Sequence, residues 1–202
     1  MVPGAPGVAL TFDDGPHPEG TPGVLELLAE AGARATFFVV GEQVERRPEL
    51  VARIAAEGHL VALHGYRHRC QLRCSSEAVA ADVARGVAVV GGALGAALGA
   101  EAPLLSWHRP PYGIYSPAGL RAARAAGLSP LLWSRWGKDW RRFTTPGRIA
   151  ARATHGLVPG DVMLLHDADF YSSRGSHLRT IEALKLILGE LRARKLGTVL
   201  PV

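Results

Sequence analysis

The chain has 202 residues, 48% of them hydrophobic and 20% charged, the balance of a sequence that folds around a core. Its formal net charge of +5 would favour an anionic partner. The arginines are nevertheless scattered (Arg46-Arg47, Arg121, Arg124, Arg141-Arg142, Arg192, Arg194) and no basic run interleaves with aromatics, so a nucleic-acid reader is excluded.

The opening, M-V-P-G-A-P-G, has neither a basic nor an apolar leader segment. A cytoplasmic location is therefore expected for the sequence as written, although a trimmed secreted chain, extracellular in life, would read the same. The run V8-A-L-T-F12 reads as a strand, and Thr21 to Ala31 as a helix stopped by Gly32. A35-T-F-F-V-V40 is β-branched and aromatic, a second strand, and Pro48 to Glu57 reads as a helix with Pro near its start and Gly58 beyond its end. L60-V-A-L-H64 makes a third strand. Cys70 and Cys74 follow, four apart; if their segment is helical they share a face, where free thiols are expected, with a bridge or a metal role as the alternatives.

Ser76 opens a long Ala-rich helix to about Leu98, whose apolar part from Val87 is too short and too rich in Gly to span a bilayer. A fourth strand is expected around S106-W-H-R109, a helix from Ser116 to Ala126, a fifth strand at L131-L-W-S134, a sixth at V162-M-L-L-H166 and a seventh at T198-V-L200. Helices from Pro146 to His155 and His177 to Lys195 precede the last two. Seven β/α repeats without a linker predict an α/β fold of one domain over residues 1–202, a parallel sheet curled into a closed or nearly closed, distorted (β/α)7-8 barrel. No Gly-x-Gly-x-x-Gly follows the first strand and no P-loop pattern occurs, which removes the usual support for nucleotide binding.

In such barrels the active site lies at the C-terminal ends of the strands. Those ends carry Asp13 and Asp14, His64, Arg109, Trp133, and His166 with Asp167. His64 and His68, four apart in H-G-Y-R-H, together with a carboxylate from the Asp pair would supply three corners of a tetrahedral zinc site whose fourth corner stays open.

The stretches "TFDDGP", "HGYRH", "RPPYG", "WGKDW" and "LLHD", in that order between residues 11 and 167, resemble the five motifs of the polysaccharide deacetylases, carbohydrate esterase family 4, with their NodB-type domain. The resemblance implies a distorted (β/α) barrel and hydrolysis of N-acetyl groups on amino sugars, or of O-acetyl groups on xylan in some members. It implies Asp14, His64 and His68 as metal ligands, Asp13 as the general base, and Arg109 as the residue that orients that base. It further implies the backbone N–H of Tyr112 as an oxyanion donor, His166 as the general acid and Asp139 as its partner. Trp140, Leu164, Tyr112 and Trp133 would bound the substrate pocket. The implied cofactor is a divalent ion, Zn2+ first, with Co2+ or Ni2+ fitting the same donors; the implied partner is an N-acetylated amino-sugar substrate, and nothing in the sequence sets the oligomeric state.

Two positions depart from the family pattern. Gly65 stands where Ser or Thr is usual after the first His, so backbone or water is expected to brace the loop, and Trp136 stands where many members have an aspartate. Trp133, Trp136 and Tyr112 also fit plain core or rim roles, and His17, His59, His108, His155 and His177 fit surface or structural ones. A cytosolic chain would meet small acetamido-sugar conjugates rather than intact cell-wall polymers. A cyclic-amide amidase of the same fold is a second enzyme reading, against whose metal-free form the Asp14–His64–His68 set argues. A non-catalytic sugar-binding protein is the reading from another class.

Overall fold

The computed structural model describes residues 4–102 and 104–201. Its centre is a seven-stranded, wholly parallel sheet with helices outside it. The strands are β1 (Ala9–Asp13), β2 (Ala35–Val39), β3 (Leu60–Leu63), β4 (Trp107–His108), β5 (Ser129–Pro130), β6 (Arg135–Trp136) and β7 (Val162–His166). The helices are α1 (Gly20–Ala31), α2 (Gly41–Arg46), α3 (Pro48–Ala56), α4 (Ser76–Leu98), α5 (Pro117–Ala125), α6 (Pro146–Thr154) and α7 (Ser176–Ala193). Strand order is β5-β4-β3-β2-β1-β7-β6. The sheet is thus a curled half-barrel whose edges, β5 and β6, are joined by no ladder among the described residues.

The central strands form because both of their faces are covered. β1 and β2 are buried at every position, and β3 and β7 at all but one, as continuous apolar runs in a parallel sheet require. Phe12 stacks on Phe37 with ring centroids 5.2 Å apart, pinning β1 to β2 on the helix-covered side. Register fixes the chemistry: Asp13 pairs with His166 and Leu63 with His108, so the catalytic-looking residues line up at one end of neighbouring strands.

Two predicted strands are corrected. Residues 131–134 are not a strand; they cross the gap between β5 and β6, each only two residues long and formed by pairing with β4 and β7 respectively. Residues 198–200 contribute a single bridge, Thr198 to Val8, because the chain returns there only to cover the foot of β1. The six-residue α2 was not predicted. α4, 23 residues with mean hydropathy 1.4 over its most apolar window, is long and apolar enough by composition to cross a bilayer, which the sequence reading had excluded. In the fold it packs on α3 and α5 and buries Val79, Val83, Gly86, Val90 and Leu94 as one stripe. Cys70 and Cys74 flank a short 3-10 turn, not a helix, and are free thiols.

Candidate active site

β1 ends on Asp13, and the next residue leaves strand geometry. Asp14 has φ 81°, a left-handed conformation uncommon outside glycine and found where a site demands it. The strand rule that neighbours face opposite ways therefore stops at Asp13. Both carboxylates turn toward His64: its Nε2 lies 3.7 Å from Asp13 Oδ2 and 3.5 Å from Asp14 Oδ1. Gly15 follows with no room for a side chain, since a Cβ there would stand 2.4 Å from Asp167 Oδ2. Asp167 is locked beneath this turn by the Thr21 hydroxyl, which donates to Oδ2 at 2.5 Å, and burial pushes its carboxyl up to about 7.

Asp13 and Asp14 have separate partners. Arg109 is wholly buried and donates from Nη1 to Asp13 Oδ1 at 2.6 Å and to Thr11 Oγ1 at 2.9 Å. Its Nε donates to Leu131 O at 2.9 Å and its Nη2 to Leu132 O at 3.4 Å, while the guanidinium lies 4.0 Å over the Phe38 ring. Asp13 is therefore held in one place with its charge balanced.

Asp14 faces two imidazoles instead. His64 Nδ1 lies 2.7 Å from the Arg109 carbonyl, which can only accept, so Nδ1 carries a proton and Nε2 is the nitrogen turned toward Asp14. His68 Nε2 lies 3.3 Å from the same Asp14 Oδ1. The three donor atoms lie within 4.8 Å of one another, and Asp14 Oδ1 is buried without a hydrogen-bond partner. Burial works against the charged form of Asp14, but the surrounding histidines, His64 first and then His166 and His68, outweigh it and hold its carboxyl below the usual range. Burial drives His68 down to about 4, leaving it neutral. Two converging imidazoles, a buried carboxylate and an orphaned oxygen aimed between them are what a divalent cation needs, so these residues fit the metal that their pattern implies.

His166 ends β7 across the cavity. Asp139 grips it twice: Oδ1 lies 2.9 Å from Nδ1, and Oδ2 accepts from the His166 backbone N–H at 2.7 Å and the Thr180 hydroxyl at 2.8 Å. Burial opposes the imidazolium, yet Asp139, with help from Asp14 and Asp13, pushes His166 up to about 10. At neutral pH it is a protonated acid whose free nitrogen is Nε2.

These groups line one cavity of about 230 Å³, together with Tyr112, Gly113, Trp133, Trp136, Trp140, Leu164, Tyr171 and Ser172. Leu164 and the three tryptophans make its apolar wall, Trp140 lying 5.3 Å from the His166 ring edge-on. Gly113 is glycine because a Cβ there would meet the Trp133 ring at 2.3 Å. Tyr112 borders the cavity at φ 62°, its ring 4.7 Å from His68. The residues to which the resemblance gave site roles thus border this cavity or, as Arg109 and Asp139 do, hold a residue that does. Tyr171 was missed. It stacks flat on His68 (4.2 Å, 8°), with its hydroxyl donating to Glu42 and accepting from Gln43. Its place in the loop after β7 was the available signal, because such loops build the site.

A second His/Asp/His group, His17, Asp169 and His177, has comparable spacing. There His17 Nδ1 accepts from the backbone N–H groups of Gly20 (2.9 Å) and Glu19 (3.2 Å), so its proton sits on Nε2, facing Asp169 Oδ1 at 3.4 Å. A protonated nitrogen is no ligand; His17 caps the start of α1, a structural role. His59 and His108 are likewise buried and bonded, to the Ala35 N–H and the Tyr115 hydroxyl.

The polysaccharide deacetylase profile matches residues 2–131 of the chain. The peptidoglycan-N-acetylglucosamine deacetylase of Bacillus cereus is 36% identical over 92% of this chain and 81% of its own length. The chitooligosaccharide deacetylase of Sinorhizobium fredii is 37% identical over 95% of this chain and 88% of its own. Among solved structures, a family 4 carbohydrate esterase from Streptomyces lividans in complex with acetate superposes with a TM-score of 0.82 at 27% identity, covering 97% of this chain and 93% of that one. With its curled parallel half-barrel and its motifs gathered at one end, the chain belongs to the polysaccharide deacetylase family.

Proposed function

We propose that this protein is a metal-dependent hydrolase that removes the N-acetyl group from an amino sugar. The observation that carries the reading is the convergence on one cavity of three separate units: the Asp14–His64–His68 donor set, the Asp13–Arg109 pair and the His166–Asp139 pair. The peptidoglycan and chitooligosaccharide deacetylases to which the chain is similar support the substrate class.

A divalent ion held by Asp14, His64 and His68 supplies Lewis acidity, polarising the acetamide carbonyl and acidifying water; we assign it as Zn2+, with Co2+ and Ni2+ satisfying the same donors. Asp13 takes a proton as the water oxygen bonds to the carbonyl carbon, and Arg109 holds that carboxylate in place through their buried ion pair. The developing oxyanion is assigned to the backbone N–H of Tyr112, a residue that borders the cavity beside His68. His166 gives its proton to the nitrogen as the C–N bond breaks, so acetate and a free amine leave. An amine is a poor leaving group until protonated, which matches an acid held charged by Asp139. Leu164, Trp140 and Trp133 form the apolar wall against which the acetyl methyl would rest.

The test is acetate release from N-acetylglucosamine, chitooligosaccharides, small acetamido-glycosides and acetylxylan, with and without chelator. Release from the acetamido sugars that stops in chelator is the expected result. Release only from acetylxylan makes the chain an O-acetyl esterase, and full activity in chelator overturns the metal-dependent mechanism.

A further inference from the structure

His64 and His68 are held in different ways. His64 follows β3 directly: its N–H donates to Val39 O at 2.9 Å and its Nδ1 to the Arg109 carbonyl. His68 comes after a turn, and its Nδ1 has no hydrogen-bond partner. Its position therefore depends on the path of Gly65–Arg67, and the backbone groups of that turn are taken from two sides. The start of α2 donates into it, Gly41 N–H to Gly65 O at 3.0 Å and Glu42 N–H to Tyr66 O at 2.9 Å. Asp82, at the end of the second turn of α4, accepts from it, Oδ2 from the Tyr66 N–H at 2.9 Å and Oδ1 from the Arg67 N–H at 3.1 Å. Two backbone donors on one carboxylate make a fork that sets direction as well as distance.

α4 is shaped to bring that carboxylate in. Gly86, one turn after Asp82 on the same face, lets the helix touch the loop: a Cβ there would lie 2.7 Å from Leu63 Cδ1 and 3.1 Å from Tyr66 N. Gly65 completes the fit with φ 85°; a Cβ on it would stand 3.0 Å from Asp82 Oδ2 and 3.2 Å from Arg67 O. Beyond its first turn, α4 carries no other carboxylate.

We propose that Asp82 is a positioning residue for the metal centre: from α4 it fixes the Gly65–Arg67 turn and thereby holds His68 in register with His64 and Asp14. The sequence reading expected backbone or water to brace this loop; backbone N–H groups of α2 do so from one side and a carboxylate from the other. The proposal rests on Asp14, His64 and His68 being the metal ligands, and its test reads metal affinity apart from acetate release.

The experiment is titration of the metal-free protein with Zn2+ against a chromophoric chelator. Asp82→Ala is expected to weaken Zn2+ binding about 10- to 100-fold, the usual effect of losing an outer partner of a ligand, and Asp82→Asn, which keeps one acceptor, to fall between. At saturating Zn2+ the turnover of Asp82→Ala recovers, because the Asp13 and His166 pairs are untouched. Ser75→Ala is the structural control. It removes the hydroxyl that caps α4 by accepting from Ala78 N–H at 3.2 Å, so it lowers the thermal midpoint while Zn2+ affinity stays within about twofold. If Asp82→Ala does not fold, Asp82→Asn and Gly65→Ala, which crowds the same carboxylate, are expected to show the same loss of affinity. Zn2+ affinity within twofold of wild type in the Asp82 variants, or an equal loss in Ser75→Ala, overturns the proposal. Zn2+ uptake that depends on Asp82 in a chain releasing no acetate upholds it while refuting the activity; no Zn2+ uptake by the wild type refutes both.

Discussion

Asp13 and Asp14 are chemically identical neighbours whose surroundings separate them. One rests against a buried guanidinium and the other against two imidazoles with an oxygen left over. Asp14→Ala is expected to abolish Zn2+ binding. Asp13→Asn is expected to retain Zn2+ and lose turnover by about 10²–10⁴, the range for a general base. It should also cost roughly 3 kcal/mol of stability in urea titrations, because Arg109 keeps its buried charge without a counter-ion. The acid side makes a pH prediction. His166 sits at about 10, so it remains an imidazolium through neutral pH and loses its proton only on the alkaline side. Asp139→Asn removes the strongest influence opposing burial, leaving only Asp14 and Asp13, so the group falls from about 10 toward its ordinary value of about 6.5. The alkaline limb of the pH profile of kcat/KM should then move toward neutrality, and the rate at pH 8 should fall by about 10². The pairing of Asp13 with Arg109 and of Asp139 with His166 follows the motifs, whereas Asp82 and Tyr171 lie outside every motif. Asp82 looks like one polar residue in an Ala- and Val-rich helix, and only the approach of α4 to the loop gives it a role.

Elements were legible in proportion to their length. β1, β2, β3 and β7 are continuous apolar runs buried on both faces, and their patterns could be read directly. β5 and β6 are two residues each and exist only by register with β4 and β7, which no local pattern encodes. Leu131-Leu132-Trp133 imitates a strand because Leu131 packs into the core and Trp133 lines the cavity, with Leu132 exposed between them, while the backbone crosses a gap. α2 is shorter than two turns, too short for periodicity to show. The junction between β1 and α1 carries the prediction at this scale. Gly15→Ala drives a Cβ against Asp167, so it is expected to cost about 1–3 kcal/mol in urea titrations and to weaken Zn2+ binding by moving Asp14.

For the whole molecule, metal and stability are linked. Free Zn2+ at 100 times Kd stabilises a native state that alone binds it by about 2.7 kcal/mol. For a chain of this length that corresponds to a rise of roughly 5–10 °C in Tm, measurable by calorimetry with and without chelator. Asp14→Ala should show no such rise.

The gap in the sheet gives Arg109 a mechanical meaning. Leu131 N–H is bonded to β4 and Ser134 N–H to β7, so residues 131–134 form a covalent strap over a seam that no ladder closes. The strap's carbonyls, Leu131 O and Leu132 O, are fastened from inside by Arg109, the same side chain that aims Asp13. The strap across the gap and the alignment of Asp13, the proposed base, thus share one clasp. Replacing Arg109 unfastens the wall along with the chemistry, so the two can be separated only by changing Asp13, the end of the clasp that the wall does not need.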